Sequence, residues 1–435
     1  MYVRALHIEN IRSFENAKVD LQFPTREQNT APSLPNVNLL LGNNGAGKTT
    51  VLKAIALAVL GRILPGSGYV PYNLIRRDRA KSDSPAIKKA LAGVDLILHP
   101  EDLKSAPLFH SFLEGSGLRS SVSISLRGSQ EELEPSFDDL LTQGLFEDNS
   151  AAFLLVGYGA TRYALGASDY EPISSQRKRR RLRYQRVAGL FEEHLGLAPV
   201  VSWLPGLRNG DPTRCKEVVA LLNELLPGEA RFLERLEDDE YLFEHCGIAV
   251  PLAALSDGYR AYIGWISDLL YNISLGAPEG TRLRDARGVV LVDEIDLHLH
   301  PEWQREVVPT IARALPNLQF VLTTHSPIVA GTLSAQNIFT LEMDGAGAST
   351  IRQLEEPIQG LSADQILLSP YFNLESTRSQ ESLKEFLQLS KKAMAGDSEA
   401  AVAFLKKITS GTEPAIEKKP ASRKAPARPR RTKAK

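Results

Sequence analysis

The sequence predicts an α/β protein built around a mostly parallel sheet, and three stretches predict it. "VNLLLGNNGAGKTTVLKAIALAVLG", starting at Val37, reads as a strand, a glycine-rich loop and a helix. "VVLVDEID", Val289 to Asp296, is a run of apolar β-formers that ends in carboxylates. "LQFVLTTHS", Leu318 to Ser326, is a second such run, separated from the first by the helix-like "PEWQREVVPTIARAL". Strand, helix and strand in that order are the alternation of a parallel sheet.

The remaining elements follow from their periodicity. "YVRALHIENIRSFENAKVDLQF" alternates apolar and polar residues in two runs and predicts a strand, a turn and a strand. Residues 62 to 120 are mixed, with Pro and Gly punctuation, and "SVSISLRG" predicts another strand. "AAFLLVGYGATRYA" reads as a buried strand ending in a glycine-rich turn, and residues 170 to 250 as mainly helical, interrupted near Pro199, Pro205, Pro212 and Pro227. "LSDGYR" then opens a helix whose apolar face is Tyr262, Ile263, Ile266, Leu269, Leu270 and Ile273. Residues 360 to 408 are helical and modestly amphipathic, and no internal repeat or long heptad run occurs. The expected segments are 1–165 and 251–350 as two parts of one head, 166–250 as a mainly helical insertion, 351–410 as a C-terminal helical segment, and 411–435 as a disordered basic tail.

A chain of 435 residues with 43% hydrophobic and 24% charged side chains can bury a large core. No stretch approaches the ~18 to 20 apolar residues of a membrane span, and the start lacks a signal-peptide pattern, so a cytoplasmic protein with no membrane partner is expected. The two cysteines, Cys215 and Cys246, have no paired metal-type spacing. The net charge of -1 conceals a division. Residues 418 to 435 hold nine Lys and Arg and no acid, which leaves 42 basic against 52 acidic side chains elsewhere, a net of -10. That tail is rich in Pro and Ala and has no large apolar residue with which to offset its ordering entropy. It is read either as an electrostatic attachment to nucleic acid or an acidic partner, or as a solubilising tail.

Gly42, Asn43, Asn44, Gly45, Ala46, Gly47, Lys48 and Thr49, followed by Thr50, match the phosphate-loop pattern G-x-x-x-x-G-K-[ST] in its required strand-to-helix setting. Glycines let successive amides turn toward phosphates, Lys48 neutralises the outer ones, and Thr49 offers a hydroxyl to Mg²⁺. Asp293 leaves its strand at the end where open α/β sheets bind ligands, which suits a second Mg²⁺ contact through water. Glu294, one step further, is placed to take a proton from an attacking water. His325, at the end of the third strand, suits a hydrogen bond to the γ-phosphate or to that water. His298 and His300 alternate in "DLHLHP", but no second histidine or cysteine pair supports a metal there. Ser256, Asp257 and Gly258 form a helix start, and a helix start with a short side chain and bare backbone is an anion site. A chain that already owns a phosphate loop has little need of another for itself.

In their order, "GNNGAGKT", "LSDGYR", "VVLVDEID" and "TTHS" resemble the Walker A, signature, Walker B and H-loop motifs of ABC-type ATPases. The opening "LHIENIRSFENAKVDL" and the form "DEIDLHLHP" are similar to the soluble SMC/RecF/OLD-like branch rather than to transporter subunits. What the resemblance implies is a P-loop ABC-type head with a mixed sheet, ATP and Mg²⁺ as cofactors, and two copies meeting head to tail as a homodimer or higher even oligomer. Each ATP would lie between the loop of one copy and Ser256, Asp257 and Gly258 of the other. Glu294 and His325 would be catalytic, and Thr49 and Asp293 would hold the metal.

The chain departs from the family in two places. No glutamine follows the strand ending near 157, so Tyr158, Thr161 or Arg162 stands at the Q-loop position. After residue 345 no Asp-x-Asp pair appears, which departs from the OLD nucleases and assigns any cutting to another chain. The "YGATR" turn and the stretch Gly360 to Leu389 resemble AAA_21-like bacterial ATPases of the Septu and retron-associated kind, tied to phage defence, and the stretch is read either as a docking segment for an effector protein from a neighbouring gene, as the resemblance implies, or as an ordinary packing helix pair. Against this sensor or scaffold reading stands a RecF-like repair ATPase working on DNA without an effector. The basic run at Arg177, Lys178, Arg179, Arg180 and Arg181 is read as a contact to DNA or RNA with Tyr184 available for base stacking, or as a solvated loop or acidic-partner surface.

Overall fold

The computed structural model of the chain describes residues 1–28, 30–77, 87–99, 118–137, 154–162, 182–192, 195–228, 230–237, 240–277, 280–345 and 347–409. Its strands are β1 (Tyr2–Ile11), β2 (Phe14–Asp20), β3 (Val37–Gly42), β4 (Lys89–Ile97), β5 (Leu118–Arg127), β6 (Gln130–Phe137), β7 (Leu155–Tyr158), β8 (Arg231–Glu237), β9 (Glu240–His245), β10 (Ile248–Pro251), β11 (Gly288–Val292), β12 (Leu318–Thr323), β13 (Ile338–Met343) and β14 (Ser349–Arg352). Its principal helices are α1 (Lys48–Leu60), α2 (Val200–Gly210), α3 (Pro212–Leu225), α4 (Asp257–Gly276), α5 (Pro301–Ala314), α6 (Pro327–Ala330), α7 (Ala363–Leu367), α8 (Gln380–Met394) and α9 (Ser398–Thr409).

Six strands in the order β14, β13, β3, β12, β11, β7 form the central sheet. It is parallel from β13 through β7, with β14 antiparallel at one edge. The strands at its middle read as near-continuous apolar runs, interrupted by Asn38 and Gln319, because both faces are covered. Val290, Val292, Phe320, Leu322, Leu39 and Leu41 enter one core, whereas Val289, Leu291, Val321 and Leu40 enter the other. Successive side chains of a strand alternate sides, so each run divides itself between the two faces.

The face carrying α1 is closed by a second, antiparallel sheet ordered β2, β1, β4, β5, β6. Helix α1 lies against β3 and β12 on one side and β4 and β5 on the other. That position explains its composition, since from Val51 to Leu60 every residue except the partly buried Lys53 is removed from solvent. A helix apolar on all sides belongs between two layers. Buried amides join those layers. Gln319 on β12 accepts from the Val3 amide at 2.8 Å and donates to the carbonyls of Val3 at 2.7 Å and Gln22 at 2.8 Å. Asn38 accepts from the Gln22 amide at 2.6 Å and donates to the Gln22 carbonyl at 2.9 Å.

The other face is packed by α2, α3, α4 and α5 and by a small sheet of β8, β9 and β10. Here the reading of 166–250 as mainly helical requires correction. Helices cover 200–225, but residues 231–251 form three antiparallel strands. Phe232, Tyr241 and Phe243 bury one side of them. The hairpin between β9 and β10 turns on Cys246 and Gly247, at φ 52° and 76°. Positive φ at both central residues is the two-residue hairpin geometry, usually signalled by Asn-Gly or Asp-Gly, and Cys-Gly hid it. Strands β4 and β6 also escaped prediction. "KALAGVDLI" is diluted by Ala and Gly, and "QEELEPSF" is an acidic edge strand containing Pro135.

The described residues divide into one compact unit over Met1–Asn373 and a second beginning at Leu374. Within the second, α8 and α9 pair, with the Phe386 and Phe404 rings 4.7 Å apart and the Arg378 guanidinium 4.7 Å above Phe386. Among the described residues no helix is long and apolar enough to cross a membrane. The tail over 411–435 and residues Arg177 to Arg181 lie outside the described residues.

Candidate nucleotide site

The loop Gly42–Thr49 joins β3 to α1, and its backbone demands its glycines. Gly45 and Gly47 hold φ of 82° and 98°, which a side chain rarely adopts. A Cβ on Gly47 would also meet the Phe14 ring at 2.6 Å and the Ser13 hydroxyl at 2.8 Å. Lys48 leaves the first turn of α1 and donates to the Gly42 carbonyl at 2.8 Å and to Asn43 at 3.3 Å. Its Nζ also lies 2.8 Å from His325 Nε2, which accepts from the ammonium when the imidazole is neutral. Burial lowers the Lys48 pKa, opposed by the charges of Asp293, Glu294 and Asp296. Burial and then the Lys48 charge hold His325 below its ordinary 6.5. Neutral His325 and charged Lys48 are therefore one consistent arrangement.

Asp293, Glu294 and His325 come to the loop because β3, β12 and β11 are neighbours and parallel, so their C-terminal ends share one edge. The Thr49 hydroxyl donates to Asp293 Oδ2 at 2.7 Å. Thr323 donates to the other oxygen, Oδ1, at 2.6 Å and accepts from the Glu294 amide at 2.7 Å. Glu294 itself sits at φ 48°, a left-handed conformation that costs a non-glycine residue ~1 to 3 kcal/mol. Thr324 donates to Asp296, and its oxygen accepts from the Ser326 amide at 2.9 Å, so the turn carrying His325 is tied to the turn carrying Glu294.

Arg162 completes this edge. It extends from the turn after β7, the neighbour of β11, and donates through Nη1 to the Asp293 carbonyl and through Nη2 to the Glu294 carbonyl at 2.8 Å. Burial pulls its pKa down to about 10, so it remains a cation at neutral pH. Of the three candidates for the missing glutamine, Tyr158 is buried and donates to Asp268 at 2.8 Å, Thr161 is exposed, and Arg162 reaches the carboxylate turn. Thr323 and Arg162 were not singled out for this contact, because it depends on strand neighbours that motif spacing does not reveal.

The donor set suits Mg²⁺. Thr49 and Asp293 offer two hard oxygens, and among the described residues no cluster of three His, Cys, Asp or Glu residues could hold a metal alone. Magnesium typically takes one or two protein oxygens and completes its shell with water and phosphate. His298 and His300 form no such cluster, and the His300 side chain instead accepts from the Glu302 amide at the start of α5.

Ser256 is the N-cap residue of the 20-residue helix α4, with an extended φ of -62° and ψ of 159°, yet its side chain makes no capping hydrogen bond. Ser256 and Asp257 are exposed, and among the described residues the Asp257 side chain pairs only with Arg260 of its own helix. Among the described residues no hydrogen bond joins Ser256, Asp257 or Gly258 to the Gly42–Thr49 loop. Gly258 lies against the His298 carbonyl, 2.6 Å from where a Cβ would stand. Tyr184 requires correction. It is fully buried, beside Tyr69 and Phe191, with its hydroxyl on Glu192 at 2.9 Å, and offers no face for a base.

The phosphate loop, the acidic strand end and the mixed sheet define the class of protein: an α/β P-loop ATPase fold. Two family models match the chain, an AAA domain over residues 5–131 and the AAA domain described as putative AbiEii toxin, Type IV TA system, over 219–330. The chain is similar to the Septu protein PtuA of Bacillus mycoides, 28% identical over 86% of this chain and 45% of that protein. It is also similar to the Retron Ec83 probable ATPase of Escherichia coli, 34% identical over 27% of this chain and 22% of that protein. The matches thus span less than half the length of these relatives. Among solved structures, the SMC head domain from Thermotoga maritima aligns with a TM-score of 0.44 at 14% identity, over 82% of this chain and all of that one.

Proposed function

We propose that the protein binds and hydrolyses ATP in a site completed by a second copy of itself, and that this cycle controls a separate effector in a phage-defence assembly. The observation that carries the reading is the convergence of Lys48, Thr49, Asp293, Glu294 and His325 at one sheet edge. Amides of the Gly42–Thr49 loop and Lys48 bind the phosphates. Thr49 and Asp293 would hold Mg²⁺, which neutralises phosphate charge when bound. Glu294 takes a proton from water as the water oxygen bonds to the γ-phosphorus and the bond to the β-phosphate oxygen breaks, releasing ADP and phosphate. Such a base supplies ~10²- to 10⁴-fold in rate. His325, neutral and bonded to Lys48, is placed to orient the terminal phosphate or the water.

Ser256, Asp257 and Gly258 supply the same nucleotide from the partner copy. What supports this is that the Ser256 side chain leaves the exposed start of α4 uncapped. ATP then bridges two copies, and its cleavage releases them. The defence role draws on the likeness to Septu and retron-associated proteins, whose greater length leaves room for parts this chain does not match.

The test is sizing with and without ATP. Glu294→Gln should give an ATP-stabilised dimer with little turnover, and Lys48→Ala should bind no ATP and stay monomeric. Equal, ATP-indifferent elution of both variants would defeat the reading.

A further inference from the structure

Successive carbonyls of an extended strand point to opposite sides, and those of a turn with helical dihedrals of either hand point to the same side. β11 is extended through Val292, and Glu294 adopts φ 48°. The left-handed residue therefore brings the carbonyls of Asp293 and Glu294 to one side, where Arg162 meets both with one guanidinium. Its Nη1 also donates to the Gly159 carbonyl at 3.2 Å, and the group lies 5.9 Å from the centre of the Trp265 ring on α4. The base of this arm is fixed. Gly157 donates to the Arg186 carbonyl at 2.8 Å, and Gly159 is pressed against the Gly189 carbonyl with no space for a Cβ.

We propose that Arg162 is a positioning residue that locks the left-handed turn at Glu294 through the carbonyls of Asp293 and Glu294, and so aims the Glu294 carboxylate. The proposal rests on the reading of Glu294 as the base in ATP hydrolysis. A planar fork with several donors in fixed directions suits two adjacent carbonyls, which the compact ammonium of lysine cannot grip in the same way. Thr323 holds the amide side of the turn and Arg162 the carbonyl side, so the carboxylate is left free to face its reactant. Because Arg162 donates to backbone and not to the carboxylate, it leaves the base unneutralised by a direct ion pair. Its contact with Trp265 also places it between the hydrolytic turn and the helix that begins at Ser256.

The full chain carries the test, with Mg²⁺-ATP hydrolysis, nucleotide affinity and a double-mutant cycle as readouts. Arg162→Ala should lower kcat by about 10- to 100-fold, the size of effect expected when a reacting group is misplaced by ~1 Å. ATP affinity should change less than about threefold, since Arg162 touches none of the phosphate loop. Arg162→Lys, which keeps the charge and most of the packing, should lose an intermediate amount of kcat and serves if the alanine variant fails to fold. On a Glu294→Gln background, Arg162→Lys should cost nothing further, because the group it aims is already disabled. Undiminished kcat in Arg162→Lys overturns the proposal. So does a loss of kcat on the Glu294→Gln background equal to that on the wild type, or a parallel loss of affinity and kcat. Full turnover by Glu294→Gln alone would instead defeat the reading of Glu294 as base.

Discussion

The Thr49 hydroxyl donates to the Asp293 carboxylate at 2.7 Å across 244 positions of sequence. This bond closes the two halves of the candidate phosphate site upon each other, because Thr49 lies in the first turn of α1 and Asp293 follows β11. Both oxygens of Asp293 are engaged, the second by Thr323. Under the proposed function, Thr49 and Asp293 would hold Mg²⁺ in place of the bond between them, with Thr323 still holding Asp293.

Thr49→Val should therefore abolish the advantage of Mg²⁺ without disturbing the loop, because it removes the hydroxyl and keeps the side-chain volume. Nucleotide affinity measured with Mg²⁺ and with EDTA should become the same. A gap between the two conditions as wide as in the wild type would show that Thr49 holds no metal.

The pH dependence at His325 has a definite sign. Burial and the Lys48 charge lower its folded pKa below 6.5, so the neutral ring persists to lower pH than in a free histidine. Its contribution to stability is present above 6.5 and is lost as pH falls through the lower folded value. The acid limb of turnover, if set by His325, lies below 6.5, and Lys48→Ala should raise the His325 pKa. Titration of the ring by NMR in both proteins checks this.

Gln319 offers a test of the latch between the two sheets. It is fully buried and makes three hydrogen bonds to backbone groups of Val3 and Gln22. Gln319→Leu removes this partner from the Val3 amide and carbonyl, at ~1 to 3 kcal/mol each when no relaxation intervenes, while the Gln22 carbonyl keeps its bond from Asn38. A total loss of about 3 kcal/mol is expected, read from the denaturant midpoint, with the nucleotide residues untouched.

Gly258→Ala separates nucleotide binding from self-association. The added methyl would stand 2.6 Å from the His298 carbonyl, so the start of α4 must shift while the Gly42–Thr49 loop does not. ATP affinity of the dilute monomer should stay within about threefold of wild type, and ATP-dependent dimerisation should weaken by about tenfold or more, a change of ~1.4 kcal/mol. Sedimentation at several concentrations reads both. Unaltered dimerisation would remove Gly258 from the interface.

Much of the central sheet was legible because β3, β11 and β12 are largely apolar runs, broken by Asn38 and Gln319, and bounded by loop signals. The apolar face of α4 was legible for the same reason of period, and Tyr262, Ile263, Ile266, Leu269, Leu270 and Ile273 are all buried. The strands β8, β9 and β10 were not, since the turn between β9 and β10 uses Cys246 and the outward face of β8 is charged. Tyr184 misled because its flanking basic residues suggested exposure, whereas the ring fills a gap beside Tyr69 and Phe191.

By itself the sequence determined the local chemistry: glycines where φ must be positive, Lys48 and Thr49 at a helix start, carboxylates at a strand end. These are set by neighbours within a few residues, which is the range over which dihedral preference and spacing act. Only the tertiary structure decided that β7 lies beside β11, which brings Arg162 to the carbonyls of Asp293 and Glu294. It likewise decided that β3 lies beside β12, which brings His325 to Lys48. Strand order is chosen by the burial of whole faces and the pairing of all backbone groups, a balance over the entire sheet that no local stretch encodes.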